Sequence, residues 1–226
     1  GYRLVITARS TARLAEMRKQ IPQAQLALAG DLTDPVCLKN LLNHLKRENI
    51  EPEVLINNAG FGLYGQTLNQ DSSENLNLLD LNIRALTSLT LALAPNMRAK
   101  RKGYILNVAS IAAFMPCPYL SVYGASKAYV LSFSEALHEE LKTEGVHVTA
   151  LCPGPIKTNF WNRAGVNECD RFEFAITDAR SVAERGLNAL FKNKAIATYG
   201  IFNTLLTVSA QLAPRSLTRV LAKQVL

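Results

Sequence analysis

Short apolar runs alternate with longer segments of helical period along most of the chain. This alternation narrows the folds open to it more than any other feature. Leu4 to Ala8, Leu26 to Ala29, Val54 to Ile56, Tyr104 to Val108, Val146 to Cys152 and Ala195 to Tyr199 read as strands. Between them, Thr11 to Gln20, Pro35 to about Asn49, Ser72 to Lys102, Ser121 to Thr143 and Ser181 to Lys192 read as helices. Ser10 and Asp34 are the expected N-caps of the first two, with Pro35 at the first helical position. Pro95 is the expected kink of the third. The strand candidates are apolar throughout rather than alternating, as strands covered on both faces are. Strict β-α alternation therefore predicts an α/β fold, a doubly wound parallel sheet in a three-layer α/β/α domain. An apolar fraction of 48% is enough to fill such a core and excludes a disordered chain.

Lys and Arg outnumber Asp and Glu by 25 to 18, a net charge of +7. The densest basic run, Arg98 to Lys102, ends a predicted helix, where cations suit the dipole, so nucleic-acid binding is not expected. Cys37, Cys117, Cys152 and Cys169 have neither C-x-x-C nor zinc spacing, and no metal site is expected. They read as buried free thiols in a reducing compartment, the cytoplasm. His44, His138 and His147 are scattered without ligand spacing and read as structural or exposed.

In sheets of this kind, ligands bind outside the carboxyl ends of the strands. Those positions here are Arg9-Ser10, Gly30-Asp31, Asn57-Asn58-Ala59-Gly60, Ala109-Ser110 and Pro153-Gly154. Thirteen residues after Ser110 comes Tyr123, and four after that Lys127. On a helix the last two share a face. A phenol alone, with a pKa near 10, is a poor acid or base at neutrality. A neighbouring ammonium is expected to lower that value, and the Ser110 hydroxyl could hold a carbonyl oxygen as charge develops.

These residues resemble the motifs of the classical short-chain dehydrogenase/reductase (SDR) family, in family order and spacing. Asn57-Asn58-Ala59-Gly60 is similar to its sheet-stabilising motif. Asn107-Val108-Ala109-Ser110 carries what looks like its catalytic serine, and Tyr123 to Lys127 matches its Tyr and Lys. Asn82, in Leu81-Asn82-Ile83, sits where the family keeps a fourth catalytic residue. Pro153-Gly154 with Thr158 resembles the segment at the nicotinamide end. The resemblance covers residues 1 to 200 and implies a Rossmann-like fold in one domain, followed by a tail, 201 to 226. It also implies an opening strand, a T-G-x-x-x-G-x-G turn and a helix, about 25–30 residues. None of these is present, so Gly1-Tyr2 reads as the loop entering the family's second strand. The abrupt start reads as an omitted N-terminal stretch rather than a true truncation, and a targeting signal cannot be assessed. Gly60-Phe61-Gly62-Leu63-Tyr64-Gly65 matches G-x-G-x-x-G literally. Its predicted helix starts too late, at Asp71-Ser72-Ser73, so it reads as a family loop.

The resemblance implies an NADP(H)-dependent oxidoreductase that interconverts a carbonyl and an alcohol. Arg9, rather than an acidic residue, ends the first strand and suits a 2′-phosphate. Asp31 and Leu32 fall at the adenine, and Asn58, Ala59 and Gly60 beside the cofactor. Tyr123 would protonate the substrate oxygen. Ser110 would hydrogen-bond it. Lys127 would lower the phenol pKa and hold the nicotinamide ribose, and Asn82 would support a proton-refilling water chain. Phe114, Met115, Pro116, Phe160 and Trp161 suggest an apolar small-molecule substrate, and Asn162 to Phe174 a lid. A homodimer or homotetramer follows by analogy.

The tail is apolar at Phe202, Leu205, Leu206, Val208 and Leu212. It is basic every fourth residue at Arg215, Arg219 and Lys223, with Leu217, Val220 and Leu221 beside them. It reads as a helical segment for an anionic membrane surface, a subunit partner or a pocket cover. Two rival functions stand beside the enzyme: a non-catalytic NADP-binding or scaffold protein, and a membrane-surface lipid carbonyl reductase.

Overall fold

A computed structural model describes residues 2–21, 23–156, 160, 164 and 177–225. The chain divides into two compact units, Gly1–Glu51 and Pro52–Leu226. The first is built from β1 (Leu4–Ala8), α1 (Thr11–Gln20), β2 (Ala24–Ala29) and α2 (Pro35–Arg47). Its strands pair in parallel, Val5 against Leu26 and Ala8 against Ala29. Ser10 caps α1 by accepting the Arg13 N–H at 3.2 Å. Asp34 caps α2 by accepting the Val36 N–H at 2.8 Å, with Pro35 at the helix start. Both caps satisfy amides that a helix leaves without partners. Leu14, Leu38 and Leu45 are the buried residues of the two helices.

The second unit carries β3 (Val54–Asn57), α3 (Ser72–Leu79), α4 (Leu86–Ala99), β4 (Gly103–Val108) and α5 (Ser121–Leu141). There follow β5 (Val146–Cys152), α6 (Ala179–Phe191), β6 (Ile196–Thr198), α7 (Ile201–Leu212) and α8 (Arg215–Val225). Its sheet runs β3-β4-β5-β6, and every pair is parallel. Neighbouring residues of one strand serve opposite faces. Ile105, Val146 and Val148 pack with Met97 and Leu141 from α4 and α5. Leu106 and Leu151 pack with Val182, Ala189 and Leu190 from α6. Helices therefore cover both faces, which is why these strands are apolar without alternation.

The long predicted helix from Ser72 to Lys102 is interrupted, but not at its proline. A π-helical turn at Asp80–Ala85 separates α3 from α4, whereas Pro95 lies within α4. The turn carries Asn82, whose amide is drawn inward by the Phe61 backbone. Phe61 N–H donates to Asn82 Oδ1 at 3.2 Å, and Asn82 Nδ2 donates to Phe61 O at 3.0 Å.

Buried amides tie the strands to the helices. Asn57 and Asn107 are register partners on β3 and β4. Asn57 Nδ2 donates to Asn107 Oδ1 at 2.8 Å and to Thr90 Oγ1 at 3.1 Å. Asn107 Nδ2 donates to Ser134 Oγ on α5 at 2.9 Å. Removing one member leaves a buried acceptor without its donor, which costs about 1–3 kcal/mol. Asn57→Ala is accordingly expected to lower stability by about 2 kcal/mol in urea unfolding, with an unchanged slope. A loss below about 0.5 kcal/mol, the size of an ordinary surface substitution, would contradict the network's role.

Candidate active site

Three side chains meet where β4 ends and α5 begins. Ser110 follows β4 in extended conformation and caps the short 3₁₀ turn Ile111–Phe114, its Oγ accepting the Ala112 N–H at 3.2 Å. Its hydroxyl also shares a hydrogen bond with the Tyr123 phenol. Lys127, one turn further along α5, donates from Nζ to the Val108 carbonyl at 2.7 Å. That places the ammonium 5.7 Å from the centre of the Tyr123 ring. All three residues are buried.

Burial governs their protonation. It pushes the Tyr123 phenol up to about 12, while the hydrogen bond from Ser110 acts in the opposite sense. It pulls the Lys127 ammonium down to about 8. The expectation that the ammonium would bring the phenol down is therefore corrected. Desolvation penalises the charged form of each group and is the largest cause of both shifts. Lys127, not Tyr123, is the member of the pair whose charge changes near neutrality. Nearby Cys117 and Cys152 are pushed up to about 11 and about 12, again chiefly by burial, and remain thiols.

Asn82 joins this group as a brace. Beyond its bonds to Phe61, its Nδ2 donates to Ser126 Oγ on α5 at 3.0 Å. Both amide donors are thereby engaged with protein, so the side chain holds the loop after β3 against α5. Asn58 and Ala59 are exposed at the end of β3, Gly60 is half-buried, and Pro153 and Gly154 follow β5. Thr158, Trp161, Cys169 and the segment 162–174 predicted as a lid lie outside the described residues, apart from Ala164. In the first unit, Arg9 and Asp31 end β1 and β2 and approach at 3.8 Å, both half-exposed. Asp31 also closes its own turn, accepting from Thr33 N and Oγ1 at 2.9 and 2.8 Å.

Two glycines shape the loop over Tyr123, and sequence reading had given neither this purpose. A Cβ on Gly60 would stand 2.9 Å from Asn82 Oδ1 and 3.4 Å from Lys127 Nζ. One on Gly62 would stand 2.9 Å from Phe160 Cζ and 3.1 Å from the Tyr123 ring. The rings of Tyr123 and Phe160 lie 5.3 Å apart, centre to centre. The glycines let the loop backbone pack directly on Asn82, Lys127, Tyr123 and Phe160, with no room for a Cβ at either position. Asn203 of α7 was also missed. Its amide lies where a Cβ of Gly154 would stand, 2.5–2.7 Å away, and a polar residue in an apolar tail gave no signal of this.

A parallel sheet covered by helices, with a serine at a strand end and a Tyr-x-x-x-Lys helix packed against it, defines a Rossmann-like α/β protein. Residues 1–168 match the family model for short chain dehydrogenases. The chain is 35% identical over 155 residues to a probable NADP-dependent dehydrogenase of Haemophilus influenzae, covering 68% of this chain and 62% of that protein. It is 30% identical over 162 residues to the 17-beta-hydroxysteroid dehydrogenase type 3 of Mus musculus, covering 70% and 53%. It thus matches little more than half the length of either relative. A short-chain dehydrogenase from Sphingobium yanoikuyae, solved in complex with NADPH, superimposes with a TM-score of 0.78 at 30% identity, over 92% of this chain and 84% of that one. The chain belongs to the short-chain dehydrogenase/reductase family.

The Gly62 contact is directly testable. Gly62→Ala is expected to cost about 1–3 kcal/mol in denaturant unfolding through overpacking. Phe160→Ala should relieve part of that cost, with a coupling of at least about 0.5 kcal/mol in the double-mutant cycle. Strict additivity would show that the two side chains do not meet.

Proposed function

We propose that this chain is the core of an NADP(H)-dependent oxidoreductase that interconverts a carbonyl and an alcohol on an apolar small molecule. The observation that carries this reading is the buried meeting of Ser110, Tyr123 and Lys127 at the end of β4. In this reading Tyr123 holds its proton until a carbonyl oxygen becomes basic, then gives it up. Ser110 hydrogen-bonds the same oxygen and fixes its position. Lys127 supplies the positive charge that makes a nearby phenolate tolerable in a buried site. When bound, the nicotinamide cofactor supplies or accepts the hydride. Lys127 has two further N–H groups besides the one given to Val108, and we assign them to the nicotinamide ribose. Asn58, Ala59, Gly60, Pro153, Gly154 and Thr158 are the other second-unit residues we assign to cofactor binding.

In the first unit we assign Arg9 to the 2′-phosphate, and Asp31 with Leu32 to the adenine. Arg9's ion pair with Asp31 is long and half-exposed, and such pairs are weak. The guanidinium is therefore free to turn to a phosphate, which it can grip with two N–H groups. The apolar substrate is supported by Phe114, Met115 and Phe160, which are half-buried. Leu91 and Tyr129 on α4 and α5 are exposed, and these are the faces we assign to self-association.

Fluorescence titration should show NADPH binding far more tightly than NADH. Arg9→Ala is expected to weaken NADPH by about 10- to 100-fold, the loss of a charged hydrogen-bonded contact, and to leave NADH within about twofold. Tyr123→Phe should retain NADPH binding and lose at least about 100-fold in carbonyl reduction. NADPH binding with reduction that survives Tyr123→Phe would sink the catalytic assignment. Binding without turnover of any carbonyl would favour the non-catalytic reading.

The pH dependence has a definite sign. Below about 8 Lys127 is charged and above it is neutral. Reduction measured as kcat/KM should therefore be level on the acid side and fall about tenfold per pH unit on the alkaline side. A profile level through pH 10 would remove Lys127 from this role.

A further inference from the structure

Helix α7 is turned inside out. Its buried residues, Asn203 and Thr207, are polar and only 3% exposed. Ile201, Leu205, Val208 and Leu212 stand 83, 62, 49 and 83% exposed. Their spacing of four, three and four residues puts them in one stripe along the helix. Asn203 Nδ2 donates to Tyr199 O at 2.8 Å and Thr207 Oγ1 to Thr204 O at 2.9 Å, while the buried Asn203 Oδ1 accepts no hydrogen bond among the described residues.

The next helix repeats the pattern with charge added. In α8, Thr218 and Ala222 form the buried stripe, while Leu217, Val220 and Leu221 are each about half exposed. Arg215, Arg219 and Lys223 recur every four residues on a further face. No Asp or Glu occurs anywhere from residue 201 to 226. Two consecutive helices thus present aliphatic side chains outward and carry only positive charge.

We propose that α7 and α8 form a docking surface for an anionic lipid bilayer, lying in the plane of its interface. Neither helix can cross a membrane. They hold 12 and 11 residues, where a span needs about 20, and no described helix is long and apolar enough. A helix that cannot span but has an apolar face and a cationic one seats the first in the acyl boundary and leaves the second among headgroups. The charge decides between lipid and a second copy of the chain. A symmetric dimer through this face would bring two sets of three cations together with no carboxylate from either tail. Anionic headgroups complement them instead. The surface is independent of the chemistry proposed above, so its failure and that of the enzyme reading are separate results.

The test is flotation of the whole chain with vesicles of phosphatidylcholine alone or with phosphatidylglycerol added. The protein should rise with the anionic vesicles and far less with the neutral ones, and added salt should weaken binding. A basic residue near an anionic surface is worth about fivefold in partitioning, so Arg219→Gln with Lys223→Gln should lose about 25-fold. Leu205→Gln with Leu212→Gln should abolish flotation. All four positions are on solvent-facing stripes, and unchanged thermal unfolding would certify the fold of each variant. Absence of flotation in the wild type would overturn the proposal, as would flotation that survives Leu205→Gln with Leu212→Gln. Light scattering that shows a dimer, split by that same pair without any vesicle binding, would give the face to a second copy.

Discussion

Along one face of α5, three buried polar contacts fasten the helix to its surroundings. Asn107 on β4 donates to Ser134, Lys127 donates to the Val108 carbonyl, and Asn82 in the π turn donates to Ser126. Both serines also donate back along the helix, Ser134 to Val130 O and Ser126 to Tyr123 O. Apolar packing alone tolerates a helix that slides or rolls, because any greasy contact resembles the next. Polar groups in a dry interior do not, since each displaced one loses a bond and keeps its desolvation cost. Only one placement of α5 satisfies all three. That placement sets Tyr123 against Ser110.

The same dryness that fixes the helix also sets the protons. Tyr123 is held neutral and Lys127 is brought close to neutrality, both by burial. Taken as isolated residues four apart on a helix, the pair suggests a phenol made acidic by its neighbour. Taken in place, both charged forms are disfavoured together. The serine hydroxyl is what opposes burial at the phenol. Burial keeps the phenol protonated at rest and makes it a weaker acid, and the Ser110 hydrogen bond is the contact that favours release of its proton.

Much of this was legible in the sequence, for reasons that can be named. Strands covered on both faces are apolar at most positions, so their ends stand out, and Ser110, Asn57 and Gly154 were found there. Ser10 and Asp34 announce helices because their side chains suit amides that helices leave unpaired. What was hidden depends on contacts between distant residues. The helical break was expected at Pro95 because proline lacks an N–H, yet it falls at Asp80–Ala85, where Asn82 answers Phe61 across 21 positions. Gly62 seemed part of a loop until the Tyr123 ring was seen beneath it. The direction of the phenol shift was misjudged because a sequence displays charges but not how dry their setting is. In the tail, the apolar residues were evident; which way they face was not.

The inverted helix α7 links two parts of the second unit. Its inward side brings Asn203 against Gly154, filling the space where a side chain on Gly154 would stand. It also packs near the turn that Ser110 caps. Its outward side is the aliphatic stripe. Asn203 faces inward where it meets backbone after β6, and Tyr199 offers it a carbonyl. An apolar side chain at Asn203 would leave the Tyr199 carbonyl without that donor, a cost of about 1–3 kcal/mol. The outward leucines have no such requirement from the protein itself. The proposed bilayer contact is what gives this outward stripe an apolar partner. One helix of 12 residues carries both faces. Whatever seats its outer stripe therefore bears, through Asn203, on the segment after β5.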